Sequence, residues 1–177
     1  MSSRGRIDEA TLHLVFALDL LLGGKAGDAL TKVLASRVAM LSHFALDIKF
    51  EEQRKFIEES YDLRSGYVHR GLKFELSKLV SKSGESIENR FQRLVQTSRV
   101  LFAAGCFARQ QSWCSGSDAH DKWISRIDLL CQTQSAGKTL RKDDLDELGI
   151  HRIRSRTENA KAPLISIDWG SANESSD

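Results

Sequence analysis

The chain is short of structural breakers, of paired cysteines and of charge in excess of either sign. One proline and twelve glycines in 177 residues leave long stretches uninterrupted, which argues against a many-turned β architecture and for helices. The cysteines Cys106, Cys114 and Cys131 have no paired spacing, and an odd number of thiols suits a reducing compartment rather than a disulfide framework. A zinc site built from them and His120 would need spacings that no finger uses, so they read as small buried hydrophobes and the sequence calls for no metal. With 26 Lys and Arg against 24 Asp and Glu, the net charge is +2, too small to argue for nucleic acid without local clustering. The apolar run Leu12 to Leu22 contains His13 and Asp19, is too short for a bilayer and lacks a cleavage segment. It reads as a core helix of a cytosolic protein with no membrane association.

What remains is the composition of a soluble globular domain, 41% hydrophobic and 28% charged, large enough for one core. The expected fold class is all-α, a bundle of about five helices over residues 1–132, followed by a less regular extension over 133–177. Helical periodicity predicts a first helix from about Ile7 to Leu22, with Asp8 and Glu9 in its first turn and Gly23-Gly24 at its end. A second begins near Asp28 as N-cap and ends around His43 or Phe44, with Leu30, Val33, Leu34, Val38 and Leu41 on one side and Lys32 and Arg37 on the other. The third runs from about Phe50 to His69, with Phe56, Ile57, Tyr61 and Leu63 turned inward. After a loop at Ser81 to Gly84, a long fourth helix from about Ser86 keeps its period through Phe91, Leu94 and either Leu101 or Phe102, and Ala103, Ala104 and Gly105 permit close approach by a neighbour. Asp118 is the expected N-cap of a fifth helix carrying Trp123, Ile124, Ile127, Leu130 and Cys131.

In the extension, Thr139 to Leu148 predicts a short charged helix closed by Gly149, peripheral to the bundle. His151 to Lys161 is a basic arm, and Ile165, Ile167 and Trp169 alternate with Ser166 and Asp168 as in one short strand. The arm can contact RNA phosphates or stay solvated. His13 and His43 read as core or edge histidines, His120 as a first-turn residue, and Trp113 and Trp123 as packing anchors rather than base-stacking platforms.

The stretch Glu58 to Gly71 carries the chemistry. Arginine offers phosphate a permanent planar set of donors, and histidine titrates nearest neutral pH. Cleavage of RNA without metal needs a base for the 2′-hydroxyl proton, an acid for the leaving oxygen and a cation for the charge on phosphorus, and Arg64 and His69 suit these roles. Five residues apart, they diverge by about 140° around a regular helix. Either Gly66 permits a local distortion, or the pair lines a groove completed by a second subunit. A purely structural alternative pairs Arg64 with Glu58, Glu59 or Asp62 and lets His69 cap the helix end near Gly71.

The run Tyr61-Asp62-Leu63-Arg64-Ser65-Gly66-Tyr67-Val68-His69-Arg70-Gly71 resembles the signature of the HEPN superfamily, specifically its Apea-like branch. So does the order of Ala17-Leu18-Asp19-Leu20-Leu21, Ala35-Ser36-Arg37-Val38-Ala39-Met40-Leu41 and Ile127-Asp128-Leu129-Leu130 around it, and the resemblance covers residues 7–131. It implies a helical bundle that dimerises about the third helix and cleaves RNA without metal or cofactor at a composite site, in prokaryotic antiviral defence or stress. Arg64 would hold the scissile phosphate and His69 would be the general acid or base, with Tyr61, Asp62, Ser65 and Arg70 in support. Ser65 stands where many active members carry Asn, Asp or His, and Arg70 where glycine directly follows the histidine. The resemblance equally accommodates a non-catalytic dimer that binds RNA, a nucleotide or a partner protein, and an antitoxin or sensor protein as a further partner.

Overall fold

The structure, a computed structural model, describes residues 3–23, 30–75, 77 and 84–150. Within them lie α1 (Ser3–Leu22), α2 (Leu30–Leu46), α3 (Phe50–Arg70), α4 (Ile87–Ala108), α5 (Ala119–Ser135) and the short α6 (Lys142–Glu147). No strand occurs among the described residues. The fold is the expected all-α bundle of five long helices. None is long and apolar enough to cross a membrane.

α2 is the axis of the bundle, packed against α1, α3, α4 and α5. Its run Val38-Ala39-Met40-Leu41 is fully buried, as befits a helix apolar almost all round. Around it close Val15, Leu18 and Leu22 of α1, Phe56 and Ile57 of α3, Leu94, Leu101 and Ala104 of α4, and Trp123 and Ile127 of α5. Leu101 is the inward residue of its pair, while Phe102 is 68% exposed. Where a Cβ on Gly105 would stand, the Trp123 ring is 3.4 Å away, so the small-residue stretch of α4 does admit α5 closely. Polar side chains tie α3 to α4. The buried Gln53 donates to Thr97 Oγ1 at 2.8 Å and accepts from Arg93 Nε at 2.8 Å, and Arg90 bonds Glu59 at 3.0 Å.

Several expectations need correction. α1 starts at Ser3, so Asp8 and Glu9 lie inside it and no acid occupies the first turn; apolar periodicity locates core residues and is blind to a polar turn ahead of them. Lys32 is exposed as expected, but Arg37 is buried, 5% exposed, because its charge is matched inside the bundle. Asp118 makes no capping bond to α5, and its carboxylate pairs with Lys122 at 3.0 Å instead. Nor is α6 peripheral. Leu145, Leu148 and Ile150 join the main core, and Glu147 pairs with Arg126 of α5. The expected N-cap Asp28, the loop at 81–83, the basic arm and the alternating Ile165–Trp169 segment lie outside the described residues.

Gly71 ends α3 at φ 62°, ψ 19°, a left-handed conformation that disfavours any Cβ. Nothing lies within 4 Å of an added methyl, so Gly71→Ala meets only the backbone penalty. It is expected to lower stability by about 1 kcal/mol in urea denaturation; no loss would mean that the turn relaxes.

Candidate active site at the end of the third helix

α3 takes its direction from a buried stripe, Gln53, Phe56, Ile57, Ser60 and Tyr61, and Glu51 and Glu52 in its first turn favour the positive end of the helix dipole. It runs unbroken to Arg70, placing Arg64 and His69 on one helix. Its last turn is not regular. The N–H groups of Gly71 and Leu72 both converge on the Gly66 carbonyl, Leu72 at 3.2 Å. The Gly71 bond spans five residues, one more than an α-turn. Both bonds belong to the close of the helix at the left-handed Gly71, and α3 stays α-helical through Arg64 and His69. Arg70 folds back over this turn, its Nη2 3.0 Å from where a Cβ on Gly66 would stand.

Arg64 is held from across the bundle. Its Nη2 donates to Asp19 Oδ2 at 2.9 Å, the Tyr61 hydroxyl donates to Asp19 Oδ1 at 3.3 Å, and Arg64 Nη1 reaches that hydroxyl at 3.5 Å. The guanidinium lies 4.7 Å from the Phe16 ring centroid and 5.2 Å from that of Tyr61. The side chains of Arg64 and Asp19 are only 15% and 22% exposed, and Arg64 Nε is buried without a partner. None of the local acids serves. Glu58 is taken by Arg54 at 2.6 Å, Glu59 by Arg90 at 3.0 Å, and Asp62 is exposed. Asp19 is the functional residue that helical periodicity passes over: its only sequence signal is a carboxylate on an otherwise apolar stripe, where a buried charge requires a cation.

Burial, reinforced by the Asp19 charge, raises the Tyr61 phenol above its ordinary value near 10. The unfolded chain therefore releases this proton first, and stability falls as pH rises through about 10. Of the two tyrosines, Tyr61 is expected to give the later step in phenolate absorbance, and Tyr61→Phe to abolish it; a titration still showing the late step in that variant would refute the assignment.

His69 stands in the opposite environment. It is exposed, and among the described residues no hydrogen bond or ion pair reaches it. Gly71, not His69, closes the helix. Around the imidazole, Tyr67, Val68 and Leu72 are 46%, 44% and 48% exposed, an apolar fringe on a helix end. Ser65 is half-buried. Arg64 and His69 make no direct contact.

The frame behind Arg64 is a second polar tie. Arg37 of α2 forms a bidentate pair with Asp128 of α5, at 2.7 and 2.8 Å, and its Nη1 donates to the Leu22 and Gly23 carbonyls at 2.6 and 3.1 Å. His120 Nε2 lies 2.9 Å from the Leu21 carbonyl oxygen. The last carbonyls of α1, the helix that presents Asp19, are thus met by side chains from α2 and α5. Of the other described histidines, His13 is 3.9 Å from Glu9 and His43 Nδ1 is 2.7 Å from the Ile48 carbonyl oxygen. Among the described residues no three His, Cys, Asp or Glu side chains gather as a metal site.

No family model, curated protein or solved structure matches the chain.

Proposed function

We propose that the chain is a metal-independent endoribonuclease of the HEPN type, active as a homodimer in the cytoplasm, in prokaryotic defence or stress. The observation that carries this reading is the contrast within one helix. Arg64 is oriented by a carboxylate, a phenol and an aromatic face, while His69, a turn and a half later, is left exposed and without a partner. A fixed cation suits a phosphate, and an exposed imidazole without a partner suits proton transfer. The exposed Tyr67, Val68 and Leu72 are the kind of apolar fringe that pairing of two α3 ends would cover, bringing a second Arg64 and His69 to the same cleft. Arg64 would hold the scissile phosphate, and His69 would take the proton of the 2′-hydroxyl or return one to the leaving oxygen.

A second reading rests on the Asp19–Arg64 pair. A guanidinium already satisfied by a carboxylate also suits a dimer that binds RNA or a partner protein without cutting. Labelled RNA incubated in EDTA with the wild-type protein and with His69→Ala separates the two, alongside a solution mass measurement. Fragments from the wild type alone, and a dimeric mass, are expected. Equal cleavage by both proteins, or a strict monomer, would sink the nuclease assignment; binding without cleavage would select the second reading.

A further inference from the structure

A cavity of about 430 Å³ opens where the end of α1, the last turns of α4 and the start of α5 meet, a volume in the range of small-molecule sites. Leu21, Phe102, Gly105 and Trp123 give it apolar walls. The 68% exposure of Phe102 leaves a large ring without a protein neighbour on most of its surface, beside the edge of the otherwise buried Trp123. Two basic side chains also line it. His120 is engaged with the Leu21 carbonyl. Arg109 is exposed, and among the described residues no acid or carbonyl engages its guanidinium. The acid in the neighbouring loop, Asp118, is already held by Lys122. The cavity therefore combines flat apolar surface with one uncommitted planar cation.

We propose that this cavity is a binding site for a small aromatic carboxylate. The ring of such a ligand packs against Phe102 and Leu21, removing apolar surface from water. Its carboxylate accepts two parallel N–H bonds from Arg109, the geometry that a guanidinium offers and an ammonium does not. The proposal is independent of the nuclease reading, since none of the lining residues belongs to the Arg64–His69 site.

Cys106 supplies the readout. It lines the cavity and is exposed, whereas Cys114 is buried and burial pushes the Cys131 thiol up to about 12, so Cys106 is the thiol that an uncharged maleimide reaches first. In the full-length protein, 2-naphthoate is expected to slow N-ethylmaleimide labelling of Cys106 saturably, while the neutral analogue 2-naphthamide protects about tenfold less well. Arg109→Ala and Phe102→Ala, both at exposed positions, are each expected to weaken protection by naphthoate about tenfold, the first without affecting protection by the amide. Arg99→Ala, an exposed arginine away from the cavity, should change nothing. No protection by naphthoate, equal protection by acid and amide, or full protection in Arg109→Ala would each overturn the proposal. So would labelling that is slow without any probe and restored by removing residues 164–177, which would assign the cavity to the chain's own Ile165–Trp169 segment.

Discussion

Arg37→Ala is expected to lower the unfolding free energy by about 3–5 kcal/mol, enough to consume much of the stability of an ordinary domain. The side chain is 6% exposed and joins three helices through four hydrogen bonds. Truncation leaves Asp128 without its cation, strips the Leu22 and Gly23 carbonyls of their donor, and opens a void in the axis helix. Arg37→Lys keeps the charge but cannot reproduce the bidentate fork and the carbonyl contacts together, so it should fall between the wild type and alanine. Arg54→Ala is the control. Arg54 pairs with Glu51 and Glu58 along the surface of its own helix, and such pairs contribute about 0–1 kcal/mol. Denaturant titrations of the three variants give the comparison. A loss at Arg37→Ala no larger than at Arg54→Ala would mean that Arg37 does not hold the end of α1.

Most of the helical frame was legible because its apolar residues repeat at the helical period without interruption. α3 was placed to within a residue or so, as was the start of α4, where the Ser86 N-cap accepts the Asn89 N–H through its Oγ at 3.1 Å. The same signal misplaced Arg37. Periodicity assigns a charged residue to the solvent face unless a partner of opposite sign is known to meet it, and Asp128 lies 91 residues away. Asp19 was hidden for the same reason, since its partner Arg64 is 45 residues on. The three fragments that accompany the central motif each contain one such residue: Asp19, Arg37 and Asp128. Their polar members are the cross-ties of the bundle, which explains why charged residues occupy otherwise apolar helix faces.

The site itself was half legible. Arg64 and His69 stood out by chemistry and position on one helix. What no local pattern could reveal is the asymmetry between them. Burial of a side chain near the middle of α3 depends on which helix crosses it, and only the packing of α1 brings Phe16 and Asp19 against Arg64. His69 escapes such contact because α3 is ending there.

That asymmetry makes the variants of the proposed site separable. His69→Ala removes an exposed group that no described residue hydrogen-bonds or pairs with, so its stability should match the wild type within about 0.5 kcal/mol. Its cleavage rate should fall by about 10²–10⁴-fold, the usual contribution of a positioned acid or base. Arg64→Ala is expected to lose both. It removes the proposed phosphate-holding cation and leaves the mostly buried Asp19 carboxylate with only the Tyr61 hydroxyl as partner, a stability cost of about 1–3 kcal/mol. Asp19→Asn then separates orientation from charge. The amide keeps the size and one acceptor but ends the ion pair, so Arg64 stays present and becomes less firmly aimed. If Asp19 positions Arg64 for a phosphate, cleavage measured well below the melting temperature should fall by about tenfold or more, with RNA binding retained. If the pair only braces α1 against α3, Asp19→Asn should lower the melting temperature and leave cleavage at low temperature unchanged. A His69→Ala protein that folds and cuts as well as the wild type, beside an Arg64→Ala protein that is merely unstable, would return Arg64 to a structural role and leave the end of α3 as a binding surface.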